Sequence, residues 1–405
     1  MNLNSTHADD ALLRSGSAAE SAAAIHVLTL TPFFPSAADE AGGCFIAEPL
    51  GQLKQQNVAS SVIAVSPLHH PRKAPAPSTP AAWVRYPQIP GNLGLASAGR
   101  LLYARLLGRV RRLQRERPID LIHAHAALPC GHAAMLLSRH LNIPFVVTVH
   151  GLDVFNTCYA GGMPAAWRRK VSVDVYREAR TVICISQKVQ QILRDGMAGE
   201  VRSAVVYNGV NPRRFSPGTA PVECQEKEIL MVGNLIASKG HELALKACGR
   251  LKSSDLKVRC LIIGDGPERA RLASLAEALG IAQQVHFWGR KSRVEVAEAM
   301  RGCSVFVLPS SNEGLGCVYL EAMACGKPVI ACQGQGIDEV IQHGKNGWLI
   351  PVAGLEELVE GLSALLHSPE LCARIGMAAM ETILNRLTLS HQAQQLAKVY
   401  AEAMA

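Results

Sequence analysis

Residues Leu308 to Ala331 read LPSSNEGLGCVYLEAMACGKPVIA. A short apolar strand ends at Pro309, a turn with two glycines follows, and a helix that begins near Gly316 leads into a second apolar strand. Because two strands joined through a helix run parallel in one sheet, this stretch predicts a βαβ unit. The start of its helix offers backbone N–H groups at the sheet edge where ligands bind.

The same alternation of strand and helix extends through most of the chain. Further strands are predicted in the first half at 25–30, 61–65, 121–125, 145–148, 181–185 and 204–206, and in the second half at 228–232, 257–263, 285–288, 305–308 and 328–331. Amphipathic stretches separate them, as in a sheet covered on both faces. We therefore expect an α/β protein with two doubly wound, Rossmann-like parallel-sheet domains that face each other across a cleft.

Composition predicts the limits of these domains. Residues 1–24 are rich in Ala and Ser and lack periodicity, which predicts a disordered tail. Prolines and a glycine mark residues 213–224 as a linker. The expected segments are then a first domain at 25–212, a second domain at 225–385, and a C-terminal helix at 386–405 that returns to the first domain.

Length and composition exclude several classes of protein. A chain of 405 residues with 48% hydrophobic residues is too long for one ordinary core, and its composition argues against general disorder. No apolar stretch is long enough to span a membrane, and Asp9, Asp10 and Glu20 stand where a signal peptide would be basic. The 12 cysteines lack a Cys-x-x-Cys pair, as expected of reduced thiols. We expect a cytoplasmic protein.

The formal net charge of +8 lies entirely in the first half of the chain. Up to Pro212 there are 21 Lys and Arg against 13 Asp and Glu, whereas the remainder has 20 of each. This asymmetry predicts that the first domain meets an anionic partner, either membrane lipid or a phosphorylated substrate. Nucleic acid is the least favoured partner, because aromatic residues make up only 5% of the chain.

Two carboxylates bracket the glycine turn of the opening stretch. Glu313 lies in the turn, and Glu321 lies about one and a half turns into the helix. Carboxylates accept hydrogen bonds from hydroxyls, so the pattern suits recognition of a sugar and a ribose on either side of a diphosphate. The plain alternative is a capped helix with a solvated Glu321.

The run Pro-Ser-x-x-Glu-Gly-x-Gly, followed by Glu-Ala-Met-Ala-x-Gly-Lys-Pro, closely resembles the retaining nucleotide-sugar glycosyltransferases of glycosyltransferase family 4, among them enzymes of bacterial polysaccharide and lipid-linked glycan synthesis. Other segments extend the resemblance in family order over about residues 25–387: Thr148–Asp153, Val205–Val210, Val232–Leu235 with Lys239–Gly240, and Ile262–Pro267. A match of this length is more specific than one motif.

The resemblance implies a GT-B fold, in which the second domain holds the nucleotide sugar and the first holds the acceptor. Glu321 would bind the ribose diol, Lys239 the diphosphate and Glu313 the transferred sugar, with His150 at the reaction centre and Asp153 nearby. The other positions implied at the donor are Gly233, Gly314, Leu315 and Gly316. Neither a metal nor a cofactor besides the nucleotide sugar is then required, because a lysine and a helix N-terminus stabilise the leaving diphosphate.

One position departs from the family pattern. Asn234 stands where the family often has an arginine, so one cationic contact to the diphosphate is missing. Arg290 or Lys291, which follow a predicted strand, would supply that contact.

Two further groups of residues lie in the first domain. Gly42 and Gly43 precede a helix, and the resemblance implies that they let the loop approach phosphate and acceptor; a flexible turn is the alternative. A zinc site is the weaker interpretation of a second group, because its spacing is irregular. That group comprises His123, His125, Cys130 and His132.

Residues 100–117 predict a basic amphipathic helix, with apolar side chains on one face. The arginines are Arg100, Arg105, Arg109, Arg111, Arg112, Arg115 and Arg117. Either the helix packs on the sheet with a solvated basic face, or that face docks on anionic lipid headgroups.

These features predict a retaining, metal-independent hexosyltransferase that acts on a lipid-linked or polysaccharide acceptor, in the cytoplasm or at the inner membrane face. An inactive sugar-nucleotide-binding protein is an alternative that the departure at Asn234 favours. A nucleotide-sugar epimerase on the same fold does not explain the two glutamates. An oxidoreductase is disfavoured because Gly264-x-Gly266-x-x-Arg269 lacks the third glycine of the dinucleotide motif.

Overall fold

The chain forms two compact units. A computed structural model describes residues 25–71, 81–91, 94–151, 153–154, 163–196, 201–218, 227–251 and 258–405. The first unit contains the chain up to Tyr207 together with Leu389–Ala405, and the second contains Asn208–Thr388. The chain changes unit ahead of the predicted linker, whose second half lies outside the described residues, as does the predicted tail, 1–24.

A seven-stranded parallel sheet forms the first unit, in the order β3-β2-β1-β4-β5-β6-β7. Its strands are β1 (Ile25–Thr31), β2 (Val58–Pro67), β3 (Ala82–Tyr86), β4 (Leu121–His125), β5 (Phe145–Val149), β6 (Val182–Cys184) and β7 (Ser203–Val205). Its helices are α1 (Cys44–Lys54), α2 (Leu95–Glu116), α3 (His132–Leu141) after an irregular turn (Ala127–Gly131), α4 (Met163–Glu178) and α5 (Gln187–Gly196). Continuous apolar strands such as β5 are buried throughout, as expected of a sheet covered on both faces.

The second unit has a six-stranded parallel sheet in the order β10-β9-β8-β11-β12-β13. Its strands are β8 (Lys227–Val232), β9 (Val258–Ile263), β10 (Val285–Gly289), β11 (Val305–Val307), β12 (Val329–Cys332) and β13 (Trp348–Ile350). Its helices are α6 (His241–Leu251), α7 (Arg269–Ala278), α8 (Arg293–Gly302), α9 (Cys317–Ala324), α10 (Leu355–His367) and α11 (Pro369–Arg386), with 3₁₀ turns at Ala237–Lys239, Ala282–Gln284 and Gly336–Glu339. The predicted α/β fold with two doubly wound sheets is confirmed. The sequence pattern misses β3 and β13.

The last helix, α12 (Leu389–Met404), completes the core of the first unit. It packs on α1, and its Leu396, Val399 and Tyr400 are buried in one cluster with Val27 of β1 and Leu121 of β4. Burying apolar area stabilises by about 25 cal/mol per Å², so the C-terminal helix is part of this domain's core. In the described part of the chain, no helix has the length and apolar character that a membrane span requires.

Each sheet has a topological switch point, where the strand order reverses. The reversal lies between β1 and β4 in the first unit and between β8 and β11 in the second. Connections leaving two such strands run to opposite faces of the sheet, which opens a crevice at its carboxyl edge. The crevice of each unit is therefore lined by the loops that follow these central strands.

Candidate functional site

The two loops at the switch point of the second unit are held against each other. After β8 a 3₁₀ turn ends at Gly240, which has φ +73°. A Cβ atom at Gly240 would lie 2.1 Å from the carbonyl oxygen of Pro309, just beyond β11. The Ser311 N–H also donates to the Ser238 carbonyl oxygen at 2.8 Å. Because only glycine permits this approach, Gly240 determines where the preceding residue, Lys239, is held.

Lys239 and Glu313 form an ion pair across these loops. The Lys239 Nζ donates to Oε2 of Glu313, and the two side chains are 24% and 14% exposed. An ammonium attracts an anion, and a carboxylate accepts hydrogen bonds from hydroxyls. The pair therefore suits a ligand that carries both phosphate and sugar.

Main-chain groups dominate the turn that follows Glu313. The Glu313 N–H donates to the Gln335 side-chain oxygen at 2.9 Å, and Leu315, beside Gly314, is fully buried and anchors the turn. Gly316, with φ +79°, is the N-cap residue of α9 and brings no side chain to cap the helix. A glycine-capped helix N-terminus is a place where anions bind.

Glu321 lies in the second turn of α9 and is almost fully buried. The Arg293 Nη1 donates to Oε1 of Glu321 at 2.6 Å, with the side chains 13% and 4% exposed respectively. The Arg293 guanidinium also lies over the Phe215 ring, 4.8 Å from its centroid. Glu321 is a buried, paired carboxylate, and the alternative of a solvated Glu321 is wrong.

The other predicted donor residues lie farther apart. Gly233 follows β8 directly, and its N–H donates to the end of β9. Asn234 and Arg290 are exposed. Arg290 follows β10, which β9 separates from β8, so its backbone starts about 10 Å from the end of β8. Lys291 pairs with Glu295 at 2.9 Å.

Histidines gather at the carboxyl edge of the first unit. His125 ends β4 and His150 follows β5; their Nδ1 and Nε2 atoms are 3.0 Å apart, and the rings stack with centroids 5.2 Å apart. His123, one layer below, lies between the Tyr400 hydroxyl at 2.8 Å and the Thr148 hydroxyl at 2.7 Å. Residues from two strands and from α12 therefore position His150.

Gly42 and Gly43 lead into α1 beside this cluster. Gly43 has φ +76°, and a Cβ atom there would lie 2.4 Å from the backbone of Phe33, so this turn requires glycine. Phe33 and Phe45, on either side of the turn, place their ring centroids 6.0 and 4.9 Å from His150. The predicted glycine turn and the predicted histidine are neighbours.

Burial changes the pKa values of His150 and Asp153. It lowers the pKa of His150 to about 4, so the imidazole is neutral at pH 7 and acts through hydrogen bonds. Burial raises the pKa of Asp153 to about 6, although its Oδ1 accepts the His150 and Val154 N–H groups at 3.0 and 3.1 Å. Asp153 consequently fixes the turn after β5.

The four residues considered as a zinc site, His123, His125, Cys130 and His132, do not come together in the structure. The rings of His123 and His125 are tilted by 34° with their centroids 4.3 Å apart, whereas Cys130 lies in the turn after β4 and His132 begins α3. Among the described residues, no three or more His, Cys, Asp or Glu side chains are grouped to hold a metal ion.

Comparison with known proteins identifies the family. Residues 46–214 match the model for Glycosyltransferase Family 4, and residues 218–382 match the model for glycosyl transferases group 1. An uncharacterized glycosyltransferase of Methanocaldococcus jannaschii is 32% identical over 64% of this chain and 68% of its own length. The chain belongs to glycosyltransferase family 4. A D-inositol 3-phosphate glycosyltransferase of Streptomyces bingchenggensis is 30% identical over 70% of this chain and 67% of its own length.

Solved structures agree with the family 4 assignment at the level of fold. The Anabaena protein HepE, crystallised in complex with UDP and glucose, superposes with a TM-score of 0.73 at 21% identity, covering 93% of this chain and 99% of that one. The family 4 chain has the GT-B fold and is a glycosyltransferase.

Two contacts in this family 4 protein escape sequence reasoning. Arg293, which pairs with Glu321, lies near the two basic residues that the sequence favours, Arg290 and Lys291. The capping motif Ser292-x-x-Glu295 fixes the start of α8 and could have placed Arg293 at the first helical position, but not against Glu321. Tyr400 lies 277 residues from its partner His123, and no local pattern signals that contact.

Proposed function

We propose that this enzyme transfers a hexose-type sugar, with retention of configuration, from a nucleoside-diphosphate sugar to a lipid-linked or polysaccharide acceptor in cell-surface glycan synthesis. The observation that carries the proposal is the Lys239–Glu313 pair beside the glycine-capped helix α9. The second unit offers a cation for the phosphate and carboxylates for the hydroxyls of the sugar and the ribose. The complex of HepE with UDP and glucose supports the same class of donor.

Each group has a proposed role on this donor. Lys239 and the Gly314 to Gly316 turn stabilise the leaving diphosphate, Glu313 accepts hydroxyls of the transferred sugar, and Glu321 binds the ribose. The ammonium of Lys239 and the backbone N–H groups of the turn are held in place before the reaction, so they stabilise the developing negative charge without reorganising. The proposal therefore requires neither a metal nor a further cofactor.

His150 acts on the transferred sugar through hydrogen bonds, because its imidazole is uncharged at pH 7. In the proposed front-face substitution, the acceptor oxygen bonds to the anomeric carbon while the bond from that carbon to the phosphate oxygen breaks. The acceptor proton passes to the leaving phosphate. No nucleophilic side chain is then needed.

The acceptor side of the proposal rests on charge. Helix α2 buries Leu102, Leu106 and Val110 and exposes Arg100 and Arg105. A basic face on the more cationic half of the chain fits an acceptor held at an anionic membrane surface, and we place the enzyme at the inner, cytoplasmic face.

The first test is to identify the donor and then measure its turnover with and without acceptor. Thermal shift with a panel of nucleotide sugars selects the donor, and release of nucleoside diphosphate only after acceptor is added supports transfer. Tight donor binding without turnover would favour the inactive binding protein instead.

A variant tests the proposed ribose contact. Glu321→Gln should weaken binding of UDP about tenfold or more in calorimetry, because the amide offers the two ribose hydroxyls one uncharged acceptor oxygen in place of a carboxylate. The control is Glu356→Gln, an exposed carboxylate on α10 that pairs with Arg250. Unchanged UDP affinity in the Glu321 variant would contradict the assignment. If the panel selects a guanine nucleotide, GDP replaces UDP.

A further inference from the structure

Arg293 occupies a position that its own helix does not favour. It is the first residue of α8, where the helix dipole repels a cation. The N-terminus is already capped by Ser292, which accepts the Glu295 N–H, while the Glu295 side chain accepts the Ser292 N–H. The needs of the helix therefore do not explain an arginine here whose side chain is only 13% exposed.

The contacts of Arg293 point toward Glu321. Its guanidinium is held on one side by the Glu321 carboxylate at 2.6 Å and on its face by the fully buried Phe215 ring at 4.8 Å. A buried ion pair of this kind is weak evidence for stability, because desolvation offsets much of the attraction. It does fix the orientation of both partners.

We propose that Arg293 is a positioning residue, which holds the Glu321 carboxylate in one orientation for the 2′- and 3′-hydroxyls of the donor ribose. The inference rests on the proposed ribose role of Glu321. A carboxylate rotates about a single bond, and the guanidinium removes that freedom before the nucleotide arrives. Pre-organisation of this kind increases affinity by reducing the entropy lost on binding.

The test measures the dissociation constants of UDP and of 2′,3′-dideoxy-UDP by calorimetry. If the enzyme selects a guanine nucleotide, GDP and 2′,3′-dideoxy-GDP replace them. The ratio of the two dissociation constants measures the ribose contribution alone. In Arg293→Met, affinity for UDP should fall about tenfold while affinity for the dideoxy nucleotide stays the same. Arg293→Lys should recover part of the ratio, because it keeps the charge without the planar fork.

Arg301→Met is the matched control. Arg301 lies at the other end of α8 and donates to the Arg214 carbonyl oxygen at 3.1 Å, so the ratio should stay at the wild-type value. If Arg293→Met does not fold, Arg293→Lys carries the comparison, since it retains a cation beside Glu321.

Three results separate the possible failures. An equal loss of affinity for both nucleotides in the Arg293 variants would show a merely structural role and overturn the inference. A wild-type ratio in those variants, with a reduced ratio in Glu321→Gln, would also overturn it while leaving the proposed function intact. A wild-type ratio in Glu321→Gln would instead remove the ribose role on which the inference rests.

Discussion

At the scale of single residues, Gly240 and Gly344 share a backbone conformation but not their surroundings. Both have φ +73°. A Cβ atom at Gly240 would lie 2.1 Å from the Pro309 carbonyl oxygen, whereas one at Gly344 would meet nothing within 4 Å. The pair separates the cost of a left-handed backbone from the cost of pushing two loops apart.

Alanine at these positions should give different losses of stability. We expect Gly344→Ala to lower the free energy of unfolding by about 1 kcal/mol, from backbone strain alone. Gly240→Ala should lower it by about 3 kcal/mol or more, because the loop that carries Lys239 must move away from Pro309. Urea unfolding measures both changes, and equal losses would contradict the proposed loop contact.

At the scale of elements, α2 combines a packed stripe with an exposed basic face. Leu102, Leu106 and Val110 recur at a spacing of four residues and are fully buried, which fixes the rotation of the helix about its axis. Arg100 and Arg105 lie on its exposed surface. Packing requires the apolar stripe but does not require basic residues on the exposed face, so the arginines there can serve another role.

Removing charge from that face should weaken binding to anionic membranes. Each arginine near such a surface contributes about 1 kcal/mol, so the double variant Arg100→Gln with Arg105→Gln should co-sediment less with phosphatidylserine vesicles at low salt. Arg180→Gln with Arg194→Gln removes the same charge from exposed sites elsewhere on the first unit. Equal loss in both double variants would indicate net charge rather than a docking face, and high salt should abolish the wild-type binding.

At the scale of the whole molecule, the histidine cluster links stability to pH. Burial lowers the pKa of His123 to about 3 and of His150 to about 4, and lowers the pKa of His125 as well. Between pH 6.5 and about 4 the unfolded chain then binds more protons at these sites than the folded chain does, so stability falls as the pH falls. The pKa of Asp153 is raised to about 6, so this group favours the folded chain as the pH falls. It is a single group, and the three histidines outweigh it.

The free energy of unfolding should therefore be lower at pH 5 than at pH 7. His123, 2% exposed, alone should account for about 2 kcal/mol, since each pKa unit corresponds to about 1.4 kcal/mol. Urea unfolding at pH 7, 6 and 5 measures the change, and His123→Gln should reduce it by removing one titrating group. Equal or greater stability at pH 5 would refute the assignment of neutral buried histidines.

Local patterns were sufficient for the parts of this molecule that are contiguous in sequence. The strand, glycine turn and helix from Val305 to Ala324 could be read directly, as could Glu313 and Glu321 eight residues apart. Lys239 was predicted through resemblance, and its pairing with Glu313 required the structure. Arg293 was missed because three basic residues, Arg290, Lys291 and Arg293, follow one strand, and sequence does not show which of them faces α9.

The sequence by itself determined the α/β class, the parallel sheets and the family, because hydrophobic periodicity and motif spacing are properties of neighbouring residues. Only the tertiary structure decided that Glu321 is paired with Arg293, that Gly240 lies against Pro309, and that Tyr400 of the last helix contacts His123. These contacts join residues far apart in the chain. They arise because parallel strands bring distant loops to one edge of a sheet and because an unfinished apolar core recruits the last helix. Local sequence therefore does not show which residues become partners.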